Sequence, residues 1–99
     1  IMIIETPYKV GDTVSIKLNS GEEMIARLDE ETADHLVLNK PLILVAAETG
    51  VGLAPFMFTI NPDAKVRLRL NSIICVVKSA KDAADTYMQQ TTGLHLAKA

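Results

Sequence analysis

The sequence contains no tryptophan, one cysteine and only four aromatic residues, which are two tyrosines and two phenylalanines. The single cysteine, Cys75, cannot form a disulfide within the chain, and the two histidines show no zinc-ligand spacing. Because aromatic side chains are scarce, the 48% of residues that are hydrophobic must build a core from Ile, Val, Leu and Met. This composition favours a β-rich or mixed fold.

Long hydrophobic runs are also absent. No segment approaches the roughly 18–20 apolar residues that a membrane span needs, which predicts a soluble protein with no membrane partner. The opening residues IMIIET lack a basic region and are too short for a signal peptide, so we expect a cytoplasmic location. A chain of 99 residues fits one domain, because a second core could not be built from what remains after the first is buried.

An excess of positive charge is missing as well, since the formal net charge is −2. General attraction to phosphate is therefore not expected, and any affinity for RNA needs a local basic surface or many copies of a site. Residues 65–70, KVRLRL, alternate between basic and apolar side chains. They form the clearest strand pattern in the sequence, and Lys65, Arg67 and Arg69 make its basic face.

The first half of the chain predicts a hairpin and a third strand. Apolar and polar residues alternate over 14–18, and the apolar alternation continues over 24–28, while residues 19–21 between them have the composition of a turn. The acidic residues 29–31 are interpreted as a solvated turn. A third strand is then expected to begin near His35.

The middle of the chain is interrupted by proline and glycine. Pro41 cannot donate a backbone hydrogen bond, so the third strand is expected to contain a bulge or to lie at an edge. Gly50 and Gly52 predict a loop. Alternation over 56–60 then predicts another strand, which a turn at 61–63 ends.

The last part of the chain predicts a strand followed by a helix. Residues 73–77, IICVV, are interpreted as a short buried strand with Cys75 in the core. A capping-box pattern then precedes a sequence of helical propensity, so a terminal helix is expected over about residues 80–90. The polar residues 91–93 are expected to end it.

Together these elements predict a mainly β fold: a small, strongly bent, open barrel of five to six strands over about residues 8–78, followed by the C-terminal helix. One helix cannot cover every edge of such a sheet, and an exposed edge needs a partner or a cover. We therefore expect identical copies to pair edge to edge, which closes a ring when the rotation between copies permits.

Residues 11–38, GDTVSIKLNSGEEMIARLDEETADHLVL, resemble the first motif of the Sm-like (Lsm) family, which includes bacterial Hfq. Residues 69–77, RLNSIICVV, resemble its second motif. The resemblance implies an Sm-like barrel, ring assembly through the strands that flank the second motif, and binding of single-stranded RNA at the pore rim. Two features are similar to divergent phage-type members: the family's N-terminal helix is not expected at IMII, and an insertion follows the third strand.

In this family a base stacks in a pocket between the loop before the third strand and the turn of the second motif. Transferred by position, the resemblance implies an RNA-binding site in this chain. Its residues are Thr32, Asp34, His35, Arg69, Asn71 and Ser72. His35 stands about where the family has a base-contacting Asn, and Leu70 stands where Gly is usual.

Simpler interpretations remain open for the same residues. His35 is alternatively a half-exposed strand residue without a ligand, and the basic face of residues 65–70 is alternatively an ordinary solvated strand face. The expected ring of five to seven identical subunits either binds RNA or has a structural or protein-interaction role without RNA. Because no Ser or Cys nucleophile accompanies Asp34 and His35, we expect no enzymatic activity, and we expect no cofactor or metal.

Overall fold

The computed structural model describes residues 7–97, with side chains described through residue 92. The prediction that no N-terminal helix forms concerns residues 1–6, which lie outside the described residues. In chain order the described elements are β1 (Thr13–Leu18), β2 (Glu23–Glu31), β3 (His35–Ala47), β4 (Gly50–Pro55), β5 (Lys65–Arg69), a 3-10 turn (Leu70–Ser72), β6 (Ile73–Lys78) and the helix α1 (Lys81–Ala97).

The strands form one antiparallel sheet in the order β4-β3-β2-β1-β6, and β5 also pairs with β3. β3 is 13 residues long, so one of its edges carries β2 while the other carries both β5 and β4. β5 pairs with the first part of β3 and β4 with the last part, and the two strands therefore lie end to end. The predicted fold class, a mainly β, strongly bent sheet with a C-terminal helix, is confirmed.

A bulge at Lys40 and Pro41 divides β3 into two parts. Lys40 has a positive φ of 51°, and the pairing of β3 with β2 shifts by one residue across this point. Leu38 before the bulge and Ile43 after it consequently face the same core, although they are five positions apart and would face opposite sides of a regular strand. The bulge predicted at Pro41 is thus confirmed, and its extra residue turns Leu42 to the opposite face of the sheet.

The main core lies on the inner face of the bent sheet. The alternation predicted for β1 and β2 places every second side chain there, as the period of a strand requires. Each fully buried aliphatic side chain contributes roughly 1.5–3 kcal/mol relative to leaving it in water. The completely buried core residues are Val14, Ile16, Met24, Ala26, Leu28, Leu36 and Leu38.

α1 covers part of the outer face through Tyr87, which is only 2% exposed and packs against Ile25 and Leu42. The Tyr87 hydroxyl donates to the carbonyl oxygens of Asn39 and Lys40 beside the bulge, at 2.9 and 2.8 Å. Burial raises the pKa of Tyr87 to about 12. The ring therefore fills the space under the helix, and its hydroxyl gives a hydrogen-bond donor to two backbone carbonyls beside the bulge.

The helix is longer than predicted. The expected end at residues 91–93 is wrong, because α1 continues to Ala97. The Thr91 hydroxyl donates back to the carbonyl oxygen of Tyr87 at 2.9 Å, so its polar group is satisfied inside the helix instead of ending it.

Two predicted loops belong to strands. The acidic residues 29–31 extend β2, where Glu30 pairs with Val37 and Glu31 with Leu36. Glu30 and Glu31 are exposed there, as they would be in a turn, while the Asp29 carboxylate lies 3.3 Å from the Lys65 ammonium. Gly50 begins β4 with a φ of 133° and Gly52 lies within it, so the predicted loop is reduced to the tight turn at residues 48–49.

The strand predicted over 56–60 is wrong, because β4 ends at Pro55 and the chain is irregular from there to β5. Phe56 packs against the main core, while Phe58 is 81% exposed. Residues 56–60 have no strand to pair with. They begin opposite the bulge of β3, where the Phe56 N–H bonds to the Pro41 carbonyl at 3.1 Å. The turn predicted at residues 61–63 forms, with the Asp63 N–H donating to the Asn61 side chain at 2.9 Å.

β6 forms as predicted, but it is not buried. Ile73 and Val76 pack against the core, whereas Cys75 and most of the strand are exposed, so the placement of Cys75 in the core is wrong. The physical reason is topological. Within the described residues β6 pairs only with β1, and its second edge has no strand beside it.

We predict that Tyr87→Phe lowers the free energy of unfolding by about 1–2 kcal/mol, because the carbonyls of Asn39 and Lys40 lose a donor. Tyr8→Phe is the matched control, since its hydroxyl donates to the exposed Glu31 carboxylate at 3.0 Å. The control should change stability by less than about 0.5 kcal/mol. Urea denaturation measures both values, and equal effects of the two substitutions would contradict this role for Tyr87.

Candidate functional site

The loop between β2 and β3 is organised around the hydroxyl of Thr32. This oxygen accepts a hydrogen bond from the His35 N–H at 3.2 Å, and the Thr32 N–H donates to the His35 carbonyl at 2.9 Å. The same hydroxyl lies 3.1 Å from the Asp34 carboxylate. These contacts hold the three predicted site residues of this loop in one compact turn, as Thr side chains commonly do.

Asp34 determines which nitrogen of His35 carries the proton. The Nδ1 atom of His35 lies 2.8 Å from Oδ1 of Asp34, and hydrogen bonds from His35 and Thr32 hold the pKa of Asp34 below its usual value. An ionised carboxylate only accepts hydrogen bonds, so Nδ1 must be the donor. In neutral His35 the other ring nitrogen, Nε2, is therefore an acceptor.

The second half of the site follows β5 and lies directly beside the first. The register of β3 and β5 pairs His35 with Arg69, and the Leu70 N–H donates to the Asp34 carbonyl at 3.0 Å. The structure thus brings together the two segments that sequence analysis placed in one site, although more than 30 residues separate them in the chain. This surface therefore carries the side chains of Arg69, His35 and Asp34, together with the exposed amide of Asn71.

The 3-10 turn is fixed by a residue that sequence analysis missed. The side chain of Asn19 donates to the Asn71 carbonyl at 2.6 Å, and the Asn19 N–H donates to the Ser72 carbonyl at 2.8 Å. Asn19 was interpreted only as part of a turn between strands, because its partner lies 52 residues away. Asn is common in turns since its side chain satisfies backbone groups, and that is the one signal the sequence contains.

The side chains of the 3-10 turn have different roles. The Ser72 hydroxyl donates to the Arg69 carbonyl at 2.7 Å, so its proton is used within the protein. Asn71 is exposed. Leu70, which replaces the usual glycine of the motif, is partly buried and packs against the main core. This departure from the motif therefore fills the interior and leaves the exposed site residues in place.

The basic face predicted on β5 is partly neutralised. The Lys65 ammonium lies 3.3 Å from the Asp29 carboxylate, which also lies 3.8 Å from Arg27. At the other end of the strand, Arg69 contributes to lowering the pKa of Asp34. The face therefore presents mixed charge instead of a uniform basic stripe.

Within the described part of the chain, where side chains extend through residue 92, no three His, Cys, Asp or Glu side chains are grouped as a metal ion would require. No helix in that part of the chain is long and apolar enough to cross a membrane.

Comparison with known proteins supports the fold. Neither a protein-family model nor a curated protein matches the sequence. Among solved structures, this chain is similar to a heptameric archaeal Sm protein, with a TM-score of 0.52, 14% identity, and coverage of 72% of this chain and 90% of that one. The chain therefore has an Sm-like fold, and nothing in this likeness supports the bacterial Hfq or phage-type subgroup in particular.

We predict that His35 in the neutral state carries its proton on Nδ1, because the ionised Asp34 can only accept. Long-range ¹H–¹⁵N NMR distinguishes the two tautomers. Asp34→Ala should remove the preference for Nδ1, whereas Glu30→Ala, which removes an exposed carboxylate from the neighbouring strand, should leave it unchanged. A neutral wild-type His35 imidazole that is protonated on Nε2 would contradict the geometry described above.

Proposed function

We propose that this chain assembles into a homo-oligomeric ring in which the outer edge of β6 pairs with the outer edge of β5 in the next copy. The observation that supports this assembly is the sheet order, because both of these edges lack a neighbouring strand within the described residues. Unpaired edges attract further strands, and the exposed Ile74 and Val77 on β6 would be covered by such pairing.

The two edges are different surfaces, so their contact is of the head-to-tail type. Such contacts form a closed ring or an open filament, depending on the rotation between copies. The heptameric assembly of the similar archaeal protein favours the ring. We propose five to seven subunits. An assembly built through these edges carries one candidate site per subunit.

We further propose that the ring binds single-stranded RNA through Thr32, Asp34, His35, Arg69, Asn71 and Ser72. Two of these side chains support the choice of ligand. Arg69 and His35 lie opposite each other in the pairing of β3 and β5, and planar groups such as guanidinium and imidazole stack on unpaired bases. A net charge of −2 per chain means that affinity must come from such local contacts multiplied around the ring.

A ring that binds a protein instead of RNA is the second candidate. Its support is electrostatic: the ionised carboxylate of Asp34 lies inside the candidate site, and Glu31 is exposed at the end of the neighbouring strand. Carboxylates repel phosphate, so they weaken the case for RNA without affecting the assembly. In neither case do we propose an enzymatic activity, because no nucleophile accompanies Asp34 and His35.

We predict that the nuclease-treated protein has a native mass of five to seven times 10.8 kDa. We also predict that it binds short A-rich or U-rich RNA more tightly at low salt. Arg69→Ala should weaken binding about tenfold, because it removes a stacking and phosphate contact. Arg67→Ala is the matched control: it removes the same charge two residues away, opposite Val37, and should weaken binding by less than about threefold.

The outcomes separate the candidates. Equal losses in the two arginine variants would indicate a diffuse basic surface and contradict the proposed site. Intact rings that bind no RNA at low salt would contradict RNA binding and favour the protein-interaction ring.

A further inference from the structure

The outer edge formed by β4 and β5 is interrupted by an unusual segment. β4 ends at Pro55 and β5 begins at Lys65, and residues 56–64 leave the sheet between them. Because both strands pair with β3, this segment emerges in the middle of the edge that the proposed ring presents to a neighbour. Anything at its tip would be close to the adjoining copy.

The segment holds its tip away from its own core. At its start, Phe56 packs against the main core and its N–H bonds to the Pro41 carbonyl at 3.1 Å. At its end, the Ala64 N–H bonds to the Asn61 carbonyl at 2.9 Å. The segment is thus held at its start by Phe56 and at its end by β5, while Phe58 between them is 81% exposed.

Exposed apolar side chains are concentrated on both free edges. Phe58 and Met57, at 81% and 43% exposure, lie on the segment at the β4–β5 edge, and Ile74 and Val77, at 62% and 57%, lie on β6. These are four of the eight large hydrophobic side chains that are exposed in the described part of the chain. Exposed hydrophobic groups gathered in this way mark interaction surfaces.

Strand pairing alone would make a weak contact. β5 has five residues; such a strand is about 17 Å long and about 10 Å thick, so its edge presents only about 170 Å². A stable interface buries about 800 Å² on each partner. Additional surface close to this edge is therefore needed, and the tip of the 56–64 segment is apolar, exposed and in the right place.

We propose that Phe58 and Met57 of one copy pack over Ile74 on β6 of the next copy, on the same face of the strand as Val76, which packs against the core. This contact rests on the ring proposed above. It adds to the strand pairing an apolar contact made by the 56–64 segment, which we call the clasp. β6 carries no charged residue from Ile73 to Val77, so the aromatic ring would not cover an ionised side chain of this part of the strand. Because its two ends are already fixed, the segment loses little freedom on docking.

The experiment compares the dissociation of rings on dilution, followed by native mass spectrometry and sedimentation. Phe58→Ala should raise the concentration at which half of the rings dissociate at least about tenfold, and Met57→Ala should act in the same direction. Met88→Ala is the matched control, because Met88 is 51% exposed but lies on α1, outside β6 and the 56–64 segment that would form the contact. It should change this concentration less than about twofold.

A double-mutant cycle tests the contact itself. Residues that touch give non-additive effects, so Phe58→Ala should have little further effect in a chain that already carries Ile74→Ala. Wild-type rings whose dissociation is unchanged by Phe58→Ala, or a fully additive cycle, would overturn the clasp while leaving the ring in place. A wild-type protein that remains monomeric would overturn the ring and the clasp together.

Discussion

The structure depends on the hydrogen-bonding requirement of its two outer strand edges. Every backbone N–H and C=O needs a partner, and a strand at the edge of a sheet leaves a row of them open. β6 on one side and β4 with β5 on the other have no further strand within the described residues. The exposure of apolar residues on β6, including Ile74, becomes understandable if that edge is a contact surface and not a finished boundary.

The polar groups elsewhere in the protein are satisfied internally. Tyr87 supplies a donor to the carbonyls beside the bulge, and Asn19 supplies donors to the 3-10 turn that carries Asn71. Among the described residues no buried side-chain polar atom lacks a partner. The interior is therefore complete in one copy, which leaves the edges as the part of the sheet that a second copy would finish.

Local patterns were sufficient to predict the parts of the fold that depend on neighbours in sequence. Alternation identified β1 and β5, and Pro41 identified the bulge, because side-chain period and a missing donor act on the residues that carry them. Burial was harder to predict. Cys75 was placed in the core because IICVV is apolar, and sequence alone does not reveal that its strand lies at an edge.

The candidate site was predictable only through the family resemblance. The pairing of His35 with Arg69 depends on a register between distant strands, and the contact of Asn19 with Asn71 depends on the pairing of β1 with β6.

Residue-resolved hydrogen exchange at high and low protein concentration tests most directly whether neighbouring copies complete the strand edges. If neighbouring copies complete the edges, the edge amides of β5 and β6 are protected at high concentration and lose protection on dilution, while the amides of the central strand β2 stay protected. Edge amides that exchange freely at high concentration would contradict such completion.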